Sequence, residues 1–548
     1  MSMETETAPA DTAQSITCDV TIVGYGPVGI TTAALLSLAG LKVVVIERHP
    51  ARYQWHRAGH YDGETMRIFQ RLGVAEEVEL VSQPLISMQM MTSDGEVLSR
   101  VESGQDGSGW RADYLAYQPD YEDVIDSRAR GLGARVFMGT RAISLAQDED
   151  SVVIRAKAED GDAELVVRSK YLIGADGANS FVRGAVGAEK VDLGFTAEPH
   201  LVVDFEFSDP DCELPLLPDT AQVLDISRPQ LSGRWGGRRH TRFEFAARAD
   251  ESKDELTAED FCWKLIGAWG ITPEHGTIVR RAVYDFESSI TLPWRTDRVI
   301  LMGDAAHTMP PHMGQGMQSG LRDAENLAWK LAAVVRGEAD DRLLDTYQPE
   351  REPHVRALIA MSSALGAAIL ITDPEQAEAR NAMLRAGNRP PPRFPRLGPG
   401  DIRDSESPAA LDLPGTDGRP GLQARVALDK KVDRLDNLLE PGFGWRIVSR
   451  HPIGRELFDE RQLRLIDTLG IQFAHVSRGA SGDTSFWDID AQFDAWYQRT
   501  GRRAFLERPD HYVFGTAEEI SDVPGLIDEL AGALAEYGWR DAYAKEPA

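Results

Sequence analysis

Residues Cys18–Arg48 read "CDVTIVGYGPVGITTAALLSLAGLKVVVIER". The short run Val20–Val23 is apolar and rich in β-branched residues, which is typical of a buried parallel strand. Gly24, Gly26 and Gly29 then form a GxGxxG motif. The first glycine of such a motif allows a tight turn, the second lets the backbone approach a pyrophosphate, and the third lets a helix pack on the strand. The stretch therefore predicts a dinucleotide-binding βαβ unit.

The residues after the motif complete this pattern. A helix is predicted over Val28–Ala39, and Gly40 ends it before a second strand, Lys42–Ile46. The helix N-terminus offers unpaired N–H groups and a partial positive charge to phosphates. Glu47 lies at the end of the second strand, where a carboxylate can bond ribose hydroxyls. The motif alone does not distinguish FAD from NAD.

Composition excludes several classes of partner and site. The 548 residues suffice for two to four domains, and the formal charge is −28. Because a polyanion repels a polyanion, no nucleic acid partner is expected. The three cysteines, Cys18, Cys212 and Cys262, include no CxxC pair, which argues against a disulfide scaffold or a zinc ribbon and predicts a cytoplasmic protein. The histidines show no ligand spacing, so no metal site is predicted.

Neither a signal peptide nor a membrane span is predicted. The first 17 residues are polar and acidic, without a basic start and an apolar core, and are expected to form a disordered tail. The longest apolar stretch, Ala357–Ile371, is shorter than the roughly 20 residues that a span needs. It is predicted to be a helix packed against protein.

Two later segments again join a short strand to a polar turn. The first, "YLIGADGANSFVR" at Tyr171–Arg183, contains Gly174-Ala175-Asp176-Gly177 and by itself is equally typical of an Asp-Gly turn. The second, at Arg298–Ala332, has a strand that ends in Gly303-Asp304, a loop with two prolines and two glycines, and a helix predicted over Met317–Val335. A carboxylate at the end of a strand suits a polyol. The loop glycines would let backbone amides approach a ligand at the N-terminus of the helix.

These three motifs, in this order and spacing, resemble the single-component FAD-dependent aromatic hydroxylases of the p-hydroxybenzoate hydroxylase type, over about residues 18–370. The segments "HRAGHYDGETMRIFQRLGV" and "LAYQPDYEDVI" are also similar to that family. Gln318 departs from it, because many relatives have Asn or Cys there. The implied FAD contacts are Gly24, Gly26, Pro27, Gly29, Glu47, Arg48, Arg57, Gln118, Asp176, Gly303, Asp304, Pro311, Gly314, Gly316 and Met317.

The resemblance also implies the fold and its divisions. We expect an α/β FAD-binding domain of the glutathione-reductase-like Rossmann type (residues 18–82, 108–192 and 293–385) and an interleaved α+β substrate domain built on a β-sheet (83–107 and 193–292). A Pro-rich and Gly-rich linker (386–421) then leads to residues 422–548, which resemble the thioredoxin-like C-terminal domain of the phenol hydroxylase and 3-(3-hydroxyphenyl)propionate hydroxylase branch. Without a CxxC motif this domain cannot exchange dithiols, so a role in packing or in a homodimer is expected.

The implied chemistry is hydroxylation of an activated aromatic ring. In the family, noncovalent FAD is reduced by NADH or NADPH and reacts with O2 to give a C4a-hydroperoxyflavin, which a phenolic ring attacks. A base near the phenol hydroxyl would help, because phenolate is the better nucleophile. Asp62 is the first candidate, by resemblance to an active-site Asp of phenol hydroxylase, and its alternative role is a helix N-cap. His60 and Tyr284 are further catalytic candidates.

A cluster of cations stands out in this acidic chain. The segment "RWGGRRHTRFEF" contains Arg234, Arg239 and Arg242, which we expect to attract a substrate carboxylate or the phosphates of NAD(P)H. The alternative is a solvated hairpin. The substrate is predicted to be a small phenolic acid such as 3-(3-hydroxyphenyl)propionate, or a larger polyketide-type aromatic. A FAD-binding protein without oxygenation activity, or another redox enzyme on this fold, remains a different class of function.

Overall fold

The computed structural model describes residues 14–161, 163–194, 199–218, 220–234, 236, 239–387, 395, 397, 418–479 and 485–539. Strands β1–β28 and helices α1–α14 are numbered in chain order. In this described part of the chain they form three large sheets and two small ones.

The first large sheet holds the GxGxxG motif. Its eight strands are β1 (Gln14–Val23), β2 (Val43–Ile46), β8 (Arg135–Phe137), β9 (Thr140–Gln147), β10 (Val152–Ala158), β11 (Glu164–Gly174), β19 (Arg295–Thr296) and β20 (Val299–Leu301). Five of them run parallel in the order β20-β11-β1-β2-β8. Parallel strands are covered on both faces, which explains why β2 is an unbroken and fully buried apolar run.

The start of this sheet differs from the prediction. Residues 14–17, which we expected in a disordered tail, belong to β1 because the long strand β11 pairs with them from Gln14 onward. Residues 1–13 lie outside the described residues. The first helix and the second strand each lie within one residue of their predicted bounds.

Helices pack on the first sheet or beside it. They are α1 (Pro27–Leu38), α2 (Gly63–Leu72), α3 (Ala75–Leu80), α4 (Gln118–Gly131), α5 (Phe181–Ala185), α8 (Gly316–Arg336) and α9 (Tyr347–Ile369). Helix α10 (Pro374–Arg385) packs on the second large sheet, where Leu384 shares a core with Met90 and Leu98. Helix α1 packs against both α4 and α8. Gly320 allows the close approach of α8, since a Cβ there would lie 2.4 Å from the side chain of Val28. The N-termini of α1 and α8 therefore lie near one another.

The second large sheet faces the same region from the other side. Its strands are β5 (Ser87–Met91), β6 (Val97–Glu102), β13 (His200–Phe207), β14 (Thr220–Val223), β15 (Gln230–Gly233), β16 (His240–Ala246) and β17 (Gly276–Tyr284), in the order β17-β13-β16-β15-β14-β5-β6. Two short helices, α6 (Lys253–Leu256) and α7 (Glu259–Gly267), belong to its second face, where Phe205 and Phe243 share a core with Cys262. Residues on the opposite face of this sheet line the cavity of the candidate site. The predicted division of the chain into domains stays a prediction.

Two three-stranded sheets connect these layers. One consists of β3 (His60–Asp62), β4 (Ser82–Pro84) and β7 (Asp113–Ala116), and the other of β12 (Glu189–Asp192), β18 (Ser289–Leu292) and β21 (His307–Thr308). The first of them carries His60 and Asp62 beside the loop before α8.

The third large sheet lies in the C-terminal part. Its strands are β22 (Arg425–Leu428), β23 (Lys431–Arg434), β24 (Arg446–Ser449), β25 (Gln472–Ser477), β26 (Ser485–Asp488), β27 (Ala504–Glu507) and β28 (Val513–Ala517), with helices α11 (Leu435–Leu438), α12 (Glu460–Leu469), α13 (Gln492–Thr500) and α14 (Val523–Glu536). The strand order is β23-β22-β26-β25-β24-β27-β28. Trp445 and Leu526 of this part share a core with Trp329 of α8. The C-terminal part therefore packs directly on the helix that begins at the site. Most of the predicted linker lies outside the described residues.

Across the described residues, no single helix has both the length and the apolar character to cross a membrane. Residues 341–369 and 374–385 pass that test only as a pair, which is bent by 115° at its break. The apolar stretch near residue 360 forms part of α9, with Leu358, Ile359 and Ile369 buried.

Candidate active site

A cavity of about 1660 Å³ lies between the first two large sheets and reaches the C-terminal part. Pockets for single small ligands typically measure about 300–1,000 Å³, so this one has room for a cofactor and a substrate together. The predicted site residues that line it are Gly26, Pro27, Arg57, His60, Asp62, Gln118, Arg242, Asp304, Pro311, Gly314, Gly316 and Met317.

At one end of the cavity, the N-terminus of α1 is open to a ligand. The N-cap residue Gly26 gives no side-chain hydrogen bond, and the first turn of the helix contains no acidic residue. A Cβ added to Gly26 would meet nothing within 4 Å, so it would project into open space. Uncapped N–H groups beside an open space are what a pyrophosphate needs. The residues present therefore fit a dinucleotide.

The other two glycines of the motif serve packing. Gly24 has a φ of +103°, and a Cβ there would lie 2.3 Å from the carbonyl oxygen of Ala175. At Gly29 a Cβ would lie 2.2 Å from the carbonyl oxygen of Gly24. The tight turn and the close helix therefore both require glycine.

Glu47 lies at the end of β2, as its sequence position predicts. Its carboxylate accepts the backbone N–H of Tyr25 and that of His49, each at 2.8 Å. Carboxylate oxygens have further lone pairs, so the group can also bond a ribose. Arg48, by contrast, is exposed, donates to the His49 ring at 3.2 Å, and does not line the cavity.

The loop before α8 forms the middle of the cavity. Asp304 opens onto it, and Gly314 has a φ of +62°, which favours glycine. Helix α8 begins at Gly316 without a side-chain cap and without an acid in its first turn. Two uncapped helix N-termini, those of α1 and α8, thus line one cavity. This geometry suits an elongated ligand with negative or electron-rich groups at two places, as FAD has.

Two predicted cofactor residues have hydrogen-bond partners within the protein. The Gln118 side-chain oxygen accepts the N–H groups of Ala58 at 2.8 Å and Arg57 at 3.2 Å, so it shapes the turn that carries Arg57. Asp176 accepts the N–H of Val182 at 3.1 Å and the Ser180 hydroxyl at 2.5 Å, which places its carboxylate at the start of α5, and it does not line the cavity.

The three predicted cation sites are largely neutralised by the protein. Arg242 is buried on the cavity wall, where it pairs with Asp204 at 3.2 Å and donates to the carbonyl oxygens of His56 and Arg57. The side chain of Arg234 donates to the carbonyl oxygens of Pro210 and Cys212, away from the cavity. Arg239 pairs on the surface with Glu206 at 2.8 Å. The structure therefore does not bring these arginines together in one anion site.

The second large sheet and the segments that pack beside it give the cavity a largely apolar wall. Its apolar and uncharged polar residues, some of them from the loop before α8 and from α9, are Leu85, Met88, Met90, His200, Gln222, Gln230, Leu231, Phe286, Met309, His312, Leu365 and Ile369. Four residues of the sheet with ionisable side chains also line the cavity, namely Arg100, Glu102, Arg242 and Glu244. Burial, with a contribution from His200, lowers the pKa of His312 to about 4, so its imidazole is neutral at pH 7. Such a wall can hold an aromatic ring and exclude water. Tyr284 lies outside this lining, although it is opposite His200 in the sheet.

His60 lines the cavity beside the loop before α8. Its Nε2 is 2.7 Å from a carboxylate oxygen of Asp113, and its Nδ1 is 3.1 Å from the side-chain nitrogen of Gln318. Burial is the largest single influence on the pKa of Asp113 and raises it, but the interactions with His60 and the Ser103 hydroxyl together leave this pKa below its ordinary value. Both nitrogens of His60 thus have protein partners.

Asp62 takes the alternative role that its sequence position allows. One of its oxygens accepts the N–H of Thr65 at 2.9 Å, which makes Asp62 the N-cap of α2. The other pairs with Arg322, which also donates to Glu64 at 2.7 Å. A carboxylate with two such partners fits a cap and a charge partner; its catalytic role stays a prediction.

Sequence reasoning missed Asp113, Arg322 and Tyr512, which all line the cavity or bond to residues that line it. They lie on β7, on α8 and in the C-terminal part, and no local motif marks them. Their contacts join residues that are 53 to 448 positions apart, so no local pattern in the sequence could have shown them.

Comparison with known proteins places the chain in a family. The family described as "FAD binding domain" matches residues 17–362, and the "HcaD C-terminal domain" matches residues 418–533. The first match covers more than half of the chain, so the chain belongs to this FAD-binding family.

Two curated relatives align along nearly the whole chain. The "Probable NADH-specific resorcinol 4-hydroxylase" of Rhodococcus jostii is 37% identical over 94% of this chain and 95% of that protein. The "3-(3-hydroxy-phenyl)propionate/3-hydroxycinnamic acid hydroxylase" of Paraburkholderia xenovorans is 31% identical over 96% of this chain and 86% of that protein. Among solved structures, a ternary complex of aklavinone-11 hydroxylase with FAD and aklavinone has a TM-score of 0.75 and 25% identity, over 94% of this chain and 98% of that one.

The protein is therefore a FAD-dependent aromatic monooxygenase that hydroxylates phenolic compounds. The two helix N-termini and Asp304 are the groups that would hold the cofactor. When bound, FAD supplies the redox and oxygen chemistry, while the protein supplies orientation and electrostatics.

Proposed function

We propose that the protein hydroxylates a small monocyclic phenol, with NADH as the reductant. The observation that carries this proposal is the largely apolar wall of the cavity, on which two polar groups can bond a phenol hydroxyl without adding a charge. They are Gln222 of the second large sheet and His312 of the loop before α8. The likeness to a resorcinol hydroxylase and to hydroxyphenylpropionate hydroxylases supports a single substituted ring.

The chain's own residues would then bind different parts of the cofactor and the substrate. The N-terminus of α1 binds the pyrophosphate of FAD, Glu47 bonds a ribose, and Asp304 bonds the polyol chain. The loop 310–316 and the start of α8 support the flavin ring. The apolar side chains of the second sheet exclude water, which limits wasteful loss of oxygen as H2O2.

The test is NADH oxidation with a panel of phenols, in which product and H2O2 are both counted. The panel contains resorcinol, 3-(3-hydroxyphenyl)propionate and a polycyclic polyketide-type phenol. We expect a monocyclic phenol to give product in near-equal amount to NADH consumed. Product from the polycyclic compound alone would contradict the proposal, and H2O2 alone with every phenol would favour a FAD-binding protein without oxygenation activity.

We also infer that FAD is bound noncovalently. The support is that the uncapped N-termini of α1 and α8 offer backbone N–H groups for noncovalent contacts with the cofactor. Acid precipitation of the yellow protein should release all flavin into the supernatant. Flavin that stays in the pellet would contradict this inference.

The C-terminal part is proposed to be a thioredoxin-like domain without redox activity. Support comes from its strand order β25-β24-β27-β28, with β24 and β25 parallel and the last two strands antiparallel, and from helices α12 and α14 that follow β24 and β28. All three cysteines, Cys18, Cys212 and Cys262, precede this part. Replacing all three should leave turnover largely intact, and a large loss of turnover in a folded variant would contradict the proposal.

A homodimer and a cytoplasmic location stay predictions. The three free cysteines suit a reducing compartment. Analytical ultracentrifugation of the purified holoenzyme decides the oligomeric state, and a single monomer species would contradict the dimer.

A further inference from the structure

Gln318 joins three separate segments at the centre of the cavity. It lies in the first turn of α8 and is fully buried. Its side-chain oxygen accepts the backbone N–H of Asp62 at 2.9 Å, and its side-chain nitrogen donates to the carbonyl oxygen of Gly314 at 2.7 Å. The side chain therefore ties strand β3 to the loop before α8.

These two bonds fix the orientation of the Gln318 amide. A backbone N–H can only donate and a backbone carbonyl can only accept, so the side-chain oxygen must face Asp62 and the nitrogen must face Gly314. The flipped amide would place two donors against each other and two acceptors against each other. The nitrogen therefore offers its second hydrogen to His60 Nδ1, 3.1 Å away.

The amide orientation in turn sets the proton on His60. Because Nδ1 accepts from Gln318, it carries no proton, and the proton of the neutral ring is on Nε2. Nε2 then donates to Asp113 at 2.7 Å, and the second oxygen of Asp113 accepts the Ser103 hydroxyl at 2.7 Å. An imidazolium would direct Nδ1–H at the amide hydrogens of Gln318, so Gln318 opposes the charge that Asp113 would favour.

We propose that Gln318 is a positioning residue that holds His60 in the neutral form with its proton on Nε2. This inference deepens the proposed hydroxylation, since His60 packs on the loop of the site. A Cβ at Gly314 would lie 2.9 Å from His60 Nδ1, which shows how closely the ring and the loop approach. Gln318 thereby keeps the His60 ring itself uncharged and sets the distance between β3 and the loop.

Other ionisable groups lie near His60 and Gln318 among the described residues. Asp113 faces His60 from β7, Asp62 lies two residues away on the same strand, and Arg322 on α8 neutralises Asp62. Asp106 lines the same cavity, and burial raises its pKa to about 7, which limits its charge near neutral pH. A change at Gln318 should therefore act on His60 chiefly through Nδ1.

The experiment uses holoenzyme with 15N-labelled histidine, and His60→Gln assigns the His60 signal. In the native protein we expect a proton on Nε2 and none on Nδ1. Gln318→Glu places a carboxylate oxygen by Nδ1, so Nδ1 should gain a proton. Gln83→Glu is the control, because Gln83 is half-buried and does not line the cavity. If Gln318→Glu does not fold, Gln318→Met keeps the volume, removes the hydrogen-bond donor to Nδ1 and should change the His60 signal.

Activity gives a second readout. We expect the ratio of product to H2O2 to fall about tenfold or more in Gln318→Glu, because small misplacements in a site have large effects on rate. A native His60 signal with a proton on Nδ1, or a His60 signal unchanged in Gln318→Glu, would overturn the inference. Because the NMR result needs no substrate, it decides the inference even if no phenol in the panel is hydroxylated, which would count against the proposed function alone.

Discussion

Asp62 shows how one carboxylate can serve two elements at once. It begins helix α2 by accepting the N–H of Thr65, and it also pairs with Arg322 on α8. A short polar residue before an amphipathic helix is a strong N-cap signal, and the sequence shows that much. The arginine is 260 positions away, so its contact depends on the tertiary fold. The N-cap role of Asp62 could therefore be predicted from the sequence, whereas its ion pair with Arg322 could not.

Asp62→Asn separates the roles of this residue. Asparagine also caps helices, so the variant keeps the cap and loses only the charge, whereas Asp62→Ala loses both. We expect Asp62→Ala to lower the free energy of unfolding by about 1 kcal/mol more than Asp62→Asn does. We expect the hydroxylation step, measured by stopped-flow, to survive in Asp62→Asn. A fall of about 10²–10⁴-fold in that step, with unchanged stability and FAD binding, would make Asp62 the base instead.

At the scale of elements, the first βαβ unit was predictable because its signals are local. Strand, glycine turn, helix and terminal acid each follow from neighbouring residues, and the bounds of α1 and β2 came within one residue. The start of β1 was not predictable, since it depends on pairing with β11, about 150 residues later. For the same reason, the Asp-Gly turn at Asp176 could not be assigned to the cofactor or to a helix cap from its sequence.

Gly26→Ala and Gly24→Ala form a matched pair within this unit. The Cβ at position 26 would enter open space in the cavity, whereas the Cβ at position 24 would collide with the backbone of Ala175 in a left-handed conformation. We expect Gly26→Ala to fold normally and to bind FAD at least about tenfold more weakly, because the methyl occupies the pyrophosphate space. Gly24→Ala should destabilise the apoprotein. Apoprotein melting and FAD titration check both, and equal loss of stability in the two variants would contradict this assignment.

At the scale of the whole molecule, buried ion pairs join the C-terminal part to helices α2 and α9. Arg508 pairs with Glu350 of α9 at 2.7 Å, and Arg67 of α2 pairs with Glu507 at 3.0 Å. Arg71 of α2 pairs with Glu325 at 2.8 Å and donates to the carbonyl oxygen of Pro509. Removing one partner of a buried pair is costly because the other charge stays buried. Residues of the C-terminal part thus form one side of the cavity.

Glu325 should make stability depend on pH in this region. Burial raises its pKa to about 7, although Arg71 partly offsets burial. A group with a raised folded pKa contributes stability below its unfolded pKa, near 4.5, and loses that contribution as the pH rises toward 7. The difference in unfolding free energy, Glu325→Gln minus native, should therefore increase between about pH 5 and about pH 8. Urea denaturation at both pH values measures it, and a constant difference would show that Glu325 stays ionised throughout.

Tyr512 connects the C-terminal part to the start of α8 through a chain of side-chain hydrogen bonds. Its hydroxyl donates to Glu64 at 2.6 Å, and Glu64 accepts Arg322 at 2.7 Å. Arg322 also donates to the side chain of Gln315, the N-cap residue of α8, at 2.9 Å. A C-terminal tyrosine thus orients an arginine that supports the start of α8.

Tyr512→Phe tests this connection, with Tyr497→Phe as the matched control. Both tyrosines are buried in the C-terminal part, but the Tyr497 hydroxyl has no hydrogen-bond partner among the described residues. We expect Tyr512→Phe to lose about 1.5–3 kcal/mol of unfolding free energy, the range for a hydrogen bond to a charged group, and Tyr497→Phe to lose less. Because Arg322 would also be held less firmly, Tyr512→Phe should divert more NADH to H2O2 while it retains FAD. If the two variants match in both stability and product yield, the C-terminal part does not act on the site through Tyr512.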